Sequence, residues 1–239
     1  MKKTTIISCL LLLVQLFATA AEVENKSADE FLDIARNGHT VNTWGIMSGY
    51  AEHLRRGESP IESPIRVDIR FTADRAIAKI TLNNSENFII GQPYDTTKAS
   101  IISNDKSGTG AESLGNIGLR PEDLTMNFLY WKLVKELPCS SAMGFNCRVF
   151  ELMSPENKEK AIVYIHATHF STLKAEFIKC GESEPYRTLI ADSFEKSDDL
   201  WTISSFIITG PGWKTKVVFR SIKLGLVKNG VPKELFSTQ

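Results

Sequence analysis

The chain has 239 residues, with 28 basic and 28 acidic side chains in exact formal balance and 42% hydrophobic residues. That balance excludes the basic footprint that nucleic-acid phosphates demand, and it offers no polybasic patch to an anionic membrane surface. The length is one that a single all-β domain commonly fills.

The chain opens with Lys2 and Lys3, an apolar run from Thr4 to Phe17, and the small residues Ala18, Thr19 and Ala20. This is the pattern of a cleaved secretory leader, residues 1–20. Its apolar run, about 14 residues, is shorter than the roughly 17–25 that span a bilayer. Cys9 lies too close to the N-terminus to serve as a lipid-modified cysteine. Removing Lys2 and Lys3 from 28 basic residues leaves 26 against 28 acidic ones, a net charge of about −2. The expected product is an exported, unlipidated monomer of a single domain, residues 21–239.

One early helix is well marked. Ser27-Ala28-Asp29-Glu30 forms a capping box, Phe31, Leu32, Ile34 and Ala35 give an apolar stripe, and Gly38 follows as a stop. The period then falls to two. Ile65, Val67, Ile69 and Phe71 alternate with Arg66, Asp68, Arg70 and Thr72, and Ala76, Ala78, Ile80 and Leu82 continue the pattern. Asn83-Asn84-Ser85 is a turn before Phe88-Ile89-Ile90. The segment from Ser103 to Gly118 reads as a long surface loop, and its Gly108-Thr109-Gly110 lacks the lysine and hydroxyl of a phosphate loop. Pro121 to Trp131 has mixed helical character, with Leu124, Phe128 and Trp131 on one side. It suits a short helix laid across the mouth or face of a sheet.

The second half returns to strands: Val149–Leu152, Ile162–His166, Leu173–Ile178, Tyr186–Phe194, Leu200–Ile208 and Trp213–Leu224. Their short polar turns imply an antiparallel meander that curls as it grows. The fold class expected is therefore mainly β, a strongly curved antiparallel sheet or incomplete barrel with a few short covering helices.

Three cysteines remain after the leader: Cys139, Cys147 and Cys180. An odd count in an exported chain implies one bridge and one spare thiol. The turn-rich segment between Cys139 and Cys147 favours that pair, with Cys147–Cys180 next. His166 and His169 invite a metal reading, but on a strand a spacing of three points them to opposite faces, and no third ligand is indicated. No nucleophile elbow, triad or Cys-x-x-Cys pair is visible, so no catalytic residue, metal or cofactor is expected. A hydrolase would have to rest on His166 or His169.

The excess is in inward-facing apolar surface. Trp44, Ile69, Phe71, Ile80, Leu82, Phe88, Phe128 and Trp131 would either line a hydrophobic ligand cavity or pack on one another as an ordinary core.

The run Asp123-Leu124-Thr125-Met126-Asn127-Phe128-Leu129-Tyr130-Trp131 precedes Cys147-Arg148-Val149-Phe150-Glu151-Leu152. Ala161–His166, Thr172–Phe177, Ser193–Lys196, Leu200–Ile203 and Trp213–Thr215 follow in order. This resembles the outer membrane lipoprotein-sorting family, the LolA-like group of periplasmic proteins, over residues 27–224. The resemblance implies an incomplete barrel under helices, enclosing a cavity for lipoprotein acyl chains. It also implies handover from an inner-membrane donor to an outer-membrane acceptor. It further implies an arginine that latches the lid, which no motif assigns to a particular residue. The alternative is an envelope stress-sensing or interaction protein on the same scaffold.

Overall fold

The computed structural model describes residues 26–37, 42–95, 101–104, 110–197 and 200–236. The expected leader lies outside them. Helix α1 (Ala28–Asn37) starts where its capping box places it. The Ser27 backbone N–H and hydroxyl both donate to a Glu30 carboxylate oxygen at 2.8 Å, and the Glu30 N–H returns a bond to the Ser27 hydroxyl. Its apolar stripe turns Phe31 and Leu32 fully inward.

Twelve strands follow among the described residues: β1 (Thr43–Arg55), β2 (Ile61–Phe71), β3 (Arg75–Leu82), β4 (Glu86–Pro93), β5 (Ile101–Asn104), β6 (Lys132–Ala142), β7 (Phe145–Met153), β8 (Glu159–His166), β9 (Thr172–Lys179), β10 (Arg187–Ser197), β11 (Leu200–Gly210) and β12 (Trp213–Leu226). All pair antiparallel in one sheet, ordered β5-β4-β3-β2-β1-β12-β11-β10-β9-β8-β7-β6. The β1–β12 ladder joins the two halves of the meander. The β3–β4 hairpin turns on Asn83 and Asn84, both with positive φ, a conformation that asparagine tolerates and that matches strand twist.

This order leaves β5 and β6 as the two unpaired edges, and they are consecutive in the chain. Whatever connects them must therefore cross the gap that keeps the sheet from closing. The described part of that crossing carries α2 (Gly110–Asn116), α3 (Pro121–Thr125) and a 3-10 turn (Asn127–Tyr130). This corrects the loop expected over 103–118: it takes in the end of β5 and all of α2, whose Leu114 is buried with Ile117 and Leu119 just beyond.

Two strands escape the periodicity for opposite reasons. β1 is diluted by Gly45, Ser48 and Gly49 yet lies mid-sheet, whereas β6 is an exposed edge held by backbone pairing, with Pro138 and two register shifts blunting it. The hydrophobic core gathers one face of ten strands together with α1, α2 and α3, so the sheet curls around it. On β7 and β8, Phe150, Leu152, Ala161 and Val163 face this core. Cys147, Val149 and Ile162 turn the other way into a second, smaller cluster.

The expected Cys139–Cys147 bridge is not formed, and Cys139, Cys147 and Cys180 are all free thiols. The irregularity of β6 between Leu137 and Ser140 sets Ser140 opposite Cys147. Cys139 is left on the exposed side of the edge, while burial pushes the Cys147 thiol up from its ordinary pKa.

Candidate functional site

Seven of the eight predicted lining residues converge. Ile69, Ile80, Leu82, Phe88 and Phe128 are buried in the main cluster, with Phe71 and Trp131 packed against it. Trp44 is the exception and a correction. It alternates away from Met47 onto the outer face, where its indole lies so close to Gly225 that a Cβ there would sit 2.6 Å from the ring. Its Nε1–H donates to the Gly230 carbonyl at 2.9 Å. In this arrangement the concave face is filled by its own side chains and those of the cap.

The cap is held differently at its two ends. α3 is pinned: the Arg187 guanidinium donates to both oxygens of Asp123, at 2.9 and 2.6 Å, and to the Gly118 carbonyl at 3.0 Å. Arg187 and Asp123 are 3% and 1% exposed, so this pair is nearly dry. Asp123 also accepts the Arg120 backbone N–H at 2.6 Å, capping α3. A second tie runs from Arg120 to both Glu159 oxygens, at 2.9 and 3.2 Å, and to the Tyr186 hydroxyl, which itself donates to Glu159. Burial first, and the Glu159 carboxylate second, push the Tyr186 hydroxyl up to about 12. Gly118 adopts φ +70° directly against Trp213, a site that only glycine suits.

Beyond α3 the chain breaks at Met126, which has φ 52°, and enters the 3-10 turn. Here the attachment is lighter. Arg36, in the last turn of α1, donates from Nε to the Leu129 carbonyl at 2.7 Å and from Nη2 to the Trp131 carbonyl at 2.9 Å. The Tyr130 hydroxyl answers by donating to the Arg36 carbonyl at 2.7 Å. α1 and the 3-10 turn are thus clasped through the Arg36 and Tyr130 side chains, with Phe31, Leu32 and Phe128 beneath them fully buried. Phe31 stacks on Phe150 at 5.6 Å, and the Arg148 guanidinium lies over its ring. No period or motif marks Arg36. Its one signal was position, as a cation at the C-terminal end of an amphipathic helix.

Beside the cap lies a pocket of about 290 Å³. Phe128, Trp131 and Phe177 form its apolar side. Arg120, Glu122, Arg187 and the β7–β8 turn, residues 154–159, complete its wall, with the Arg187 guanidinium over the Phe177 ring. Only Phe128 and Trp131 of the predicted lining residues reach it.

His166 and His169 do come together, with ring centroids 4.6 Å apart, because the intervening turn relaxes the strand geometry. The Nδ1 of His166 accepts the backbone N–H groups of Thr168 and His169. That role caps the turn. No group of three or more metal-ligating side chains occurs among the described residues.

An antiparallel sheet that stops short of closure, its gap crossed by a helical cap, defines the LolA-like fold. Several solved structures share it, including these three. A DUF1329 family protein from Desulfovibrio piger is 12% identical with a TM-score of 0.68, covering 88% of this chain and 97% of its own. A putative outer membrane lipoprotein-sorting protein domain from Vibrio parahaemolyticus is 16% identical with a TM-score of 0.64, covering 87% and 96%. A LolA superfamily protein from Nitrosomonas europaea is 13% identical with a TM-score of 0.60, covering 89% and 98%. At such identities the likeness is one of fold. No family model matches the chain, and no curated protein matches it in sequence.

Proposed function

We propose that this protein is a periplasmic binder and carrier that shelters acyl chains of lipoproteins, or of another lipid, beneath its cap. The observation that carries this reading is the unequal attachment of the cap. α3 is anchored by a buried ion pair, while α1 and the 3-10 turn close over apolar side chains and are joined by the Arg36 clasp. Displacing that door uncovers the concave face without unpairing a strand.

The magnitudes are balanced as a carrier requires. Opening exposes Phe31, Leu32 and Phe128, at about 1.5–3 kcal/mol each, or roughly 5–9 kcal/mol together. An acyl chain returns about 0.8 kcal/mol per buried methylene, so roughly a dozen methylenes repay about 10 kcal/mol. The near-equality allows both uptake and release. Binding and handover need no catalytic group, and Arg36 takes the part of the latch that the family resemblance implies. No helix among the described residues is long and apolar enough to cross a membrane.

The test is native mass spectrometry of the protein taken gently from the periplasm, followed by organic extraction and uptake of a fluorescent fatty acid. A co-purifying lipid or acylated peptide, or saturable uptake, is the expected result. A clean protein mass together with no uptake overturns the proposal.

A further inference from the structure

The pocket beside the cap has an electrostatic imbalance. Among its wall residues, Arg187 is matched by Asp123, Arg120 by Glu159 and Lys158 by Glu156. Glu122 is the remaining wall charge, and no ion pair or side-chain hydrogen bond reaches its carboxylate among the described residues. It sits on the anchored helix α3, so its position does not depend on the door. Burial raises its pKa above the ordinary carboxylate value, against the opposing pull of its own backbone N–H and of the Arg120 guanidinium. The apolar part of the wall is aromatic: Phe128 meets Phe177 edge-on at 5.3 Å, and Trp131 meets it at 6.2 Å. These same rings belong to or pack against the core under the cap.

One carboxylate outside any ion pair, sharing a pocket wall with aromatic rings that belong to or pack against the core under the cap, matches an amphiphile with a positive head. We propose that this pocket is the head-group subsite for the acylated ligand and that it selects a primary ammonium, held by Glu122 while the chain passes beneath Phe128 and Trp131. Lone cations would gain little, because solvent competes for the carboxylate. An ammonium tethered to a buried chain is delivered to it. This inference rests on the acyl-binding reading above.

The experiment is isothermal titration calorimetry at pH 7 with dodecylamine and dodecanoate, both below their micellar concentrations. Wild-type protein should bind dodecylamine at least tenfold more tightly than dodecanoate. Glu122→Gln, nearly isosteric, should remove that preference, weakening dodecylamine binding and bringing the two amphiphiles to within about threefold of each other, and Glu122→Lys should reverse it. Thermal melts of both variants establish that they are folded, and either folded variant decides the matter. Equal binding of the two amphiphiles, or an amine preference that survives both substitutions, overturns the head-group subsite and leaves acyl binding standing. Binding of neither amphiphile overturns the subsite and the acyl reading together.

Discussion

Replacing Arg36 with methionine keeps an unbranched chain of similar length and removes both clasp bonds. Each bond runs from a charged donor to a backbone carbonyl, at 2.7 and 2.9 Å, and such bonds contribute about 1.5–3 kcal/mol. The gross loss is therefore roughly 3–6 kcal/mol. Part is recovered, because the guanidinium no longer has to be desolvated; burial already pulls its pKa below the ordinary arginine value. The ion pair with Asp33, 3.9 Å long and with Asp33 70% exposed, adds almost nothing. A net cost of about 2–4 kcal/mol to the closed door is expected. At 1.4 kcal/mol per tenfold, that increases the open population roughly 30- to 700-fold.

Native-state hydrogen exchange reads this directly. The amides of Leu129 and Trp131 bond to the Met126 and Phe128 carbonyls within the 3-10 turn and should exchange faster by that factor. The Asp123 amide, on the anchored side of Met126 and bonded to the Arg120 carbonyl, should keep its wild-type rate. Unchanged exchange at Leu129 and Trp131, or acceleration equal at all three amides, would refute the latch. Equal acceleration would mean that the whole fold had been weakened instead.

Two further perturbations probe the anchored end. Arg187→Met alone leaves Asp123 charged and buried, and should lower stability by about 3–5 kcal/mol in urea unfolding. Adding Asp123→Leu should recover most of that loss, short of about 1 kcal/mol for the missing cap on the Arg120 N–H; additive losses would contradict a buried pair. Glu122 has its native pKa raised by burial above the ordinary 4.5, so its stabilising protonated form is fully present below 4.5 and lost as pH rises through the raised value. Glu122→Gln should accordingly melt higher than wild type at pH 7, with the gap closing below pH 4.5. A gap that widens on acidification would reverse the sign.

The strand with clean alternation, Ile65 to Phe71, was legible because period-two burial is a local property, as was the capping box of Ser27 and Glu30. The inward set from Ile69 to Phe88 was legible for the same reason, and Phe128 from the one-sided apolar spacing of Leu124, Phe128 and Trp131. β6 was not, since an exposed edge needs no apolar alternation, and neither was the outward turn of Trp44, which Gly225 and Gly230 decide from the far end of the chain.

Hairpin turns and the apolar face of the alternating strands could be read along the chain, because neighbouring residues settle both. Tertiary structure alone decided that β1 meets β12, that the β5–β6 connection becomes the cap, and that Cys147 faces Ser140. It alone brought Arg36 to carbonyls 93 and 95 residues away, and Arg187 to an aspartate 64 residues away. Contacts at that separation leave no periodic trace: they depend on where the curled sheet carries each backbone group, and a polar side chain is selected there by burial, not by its neighbours in the chain.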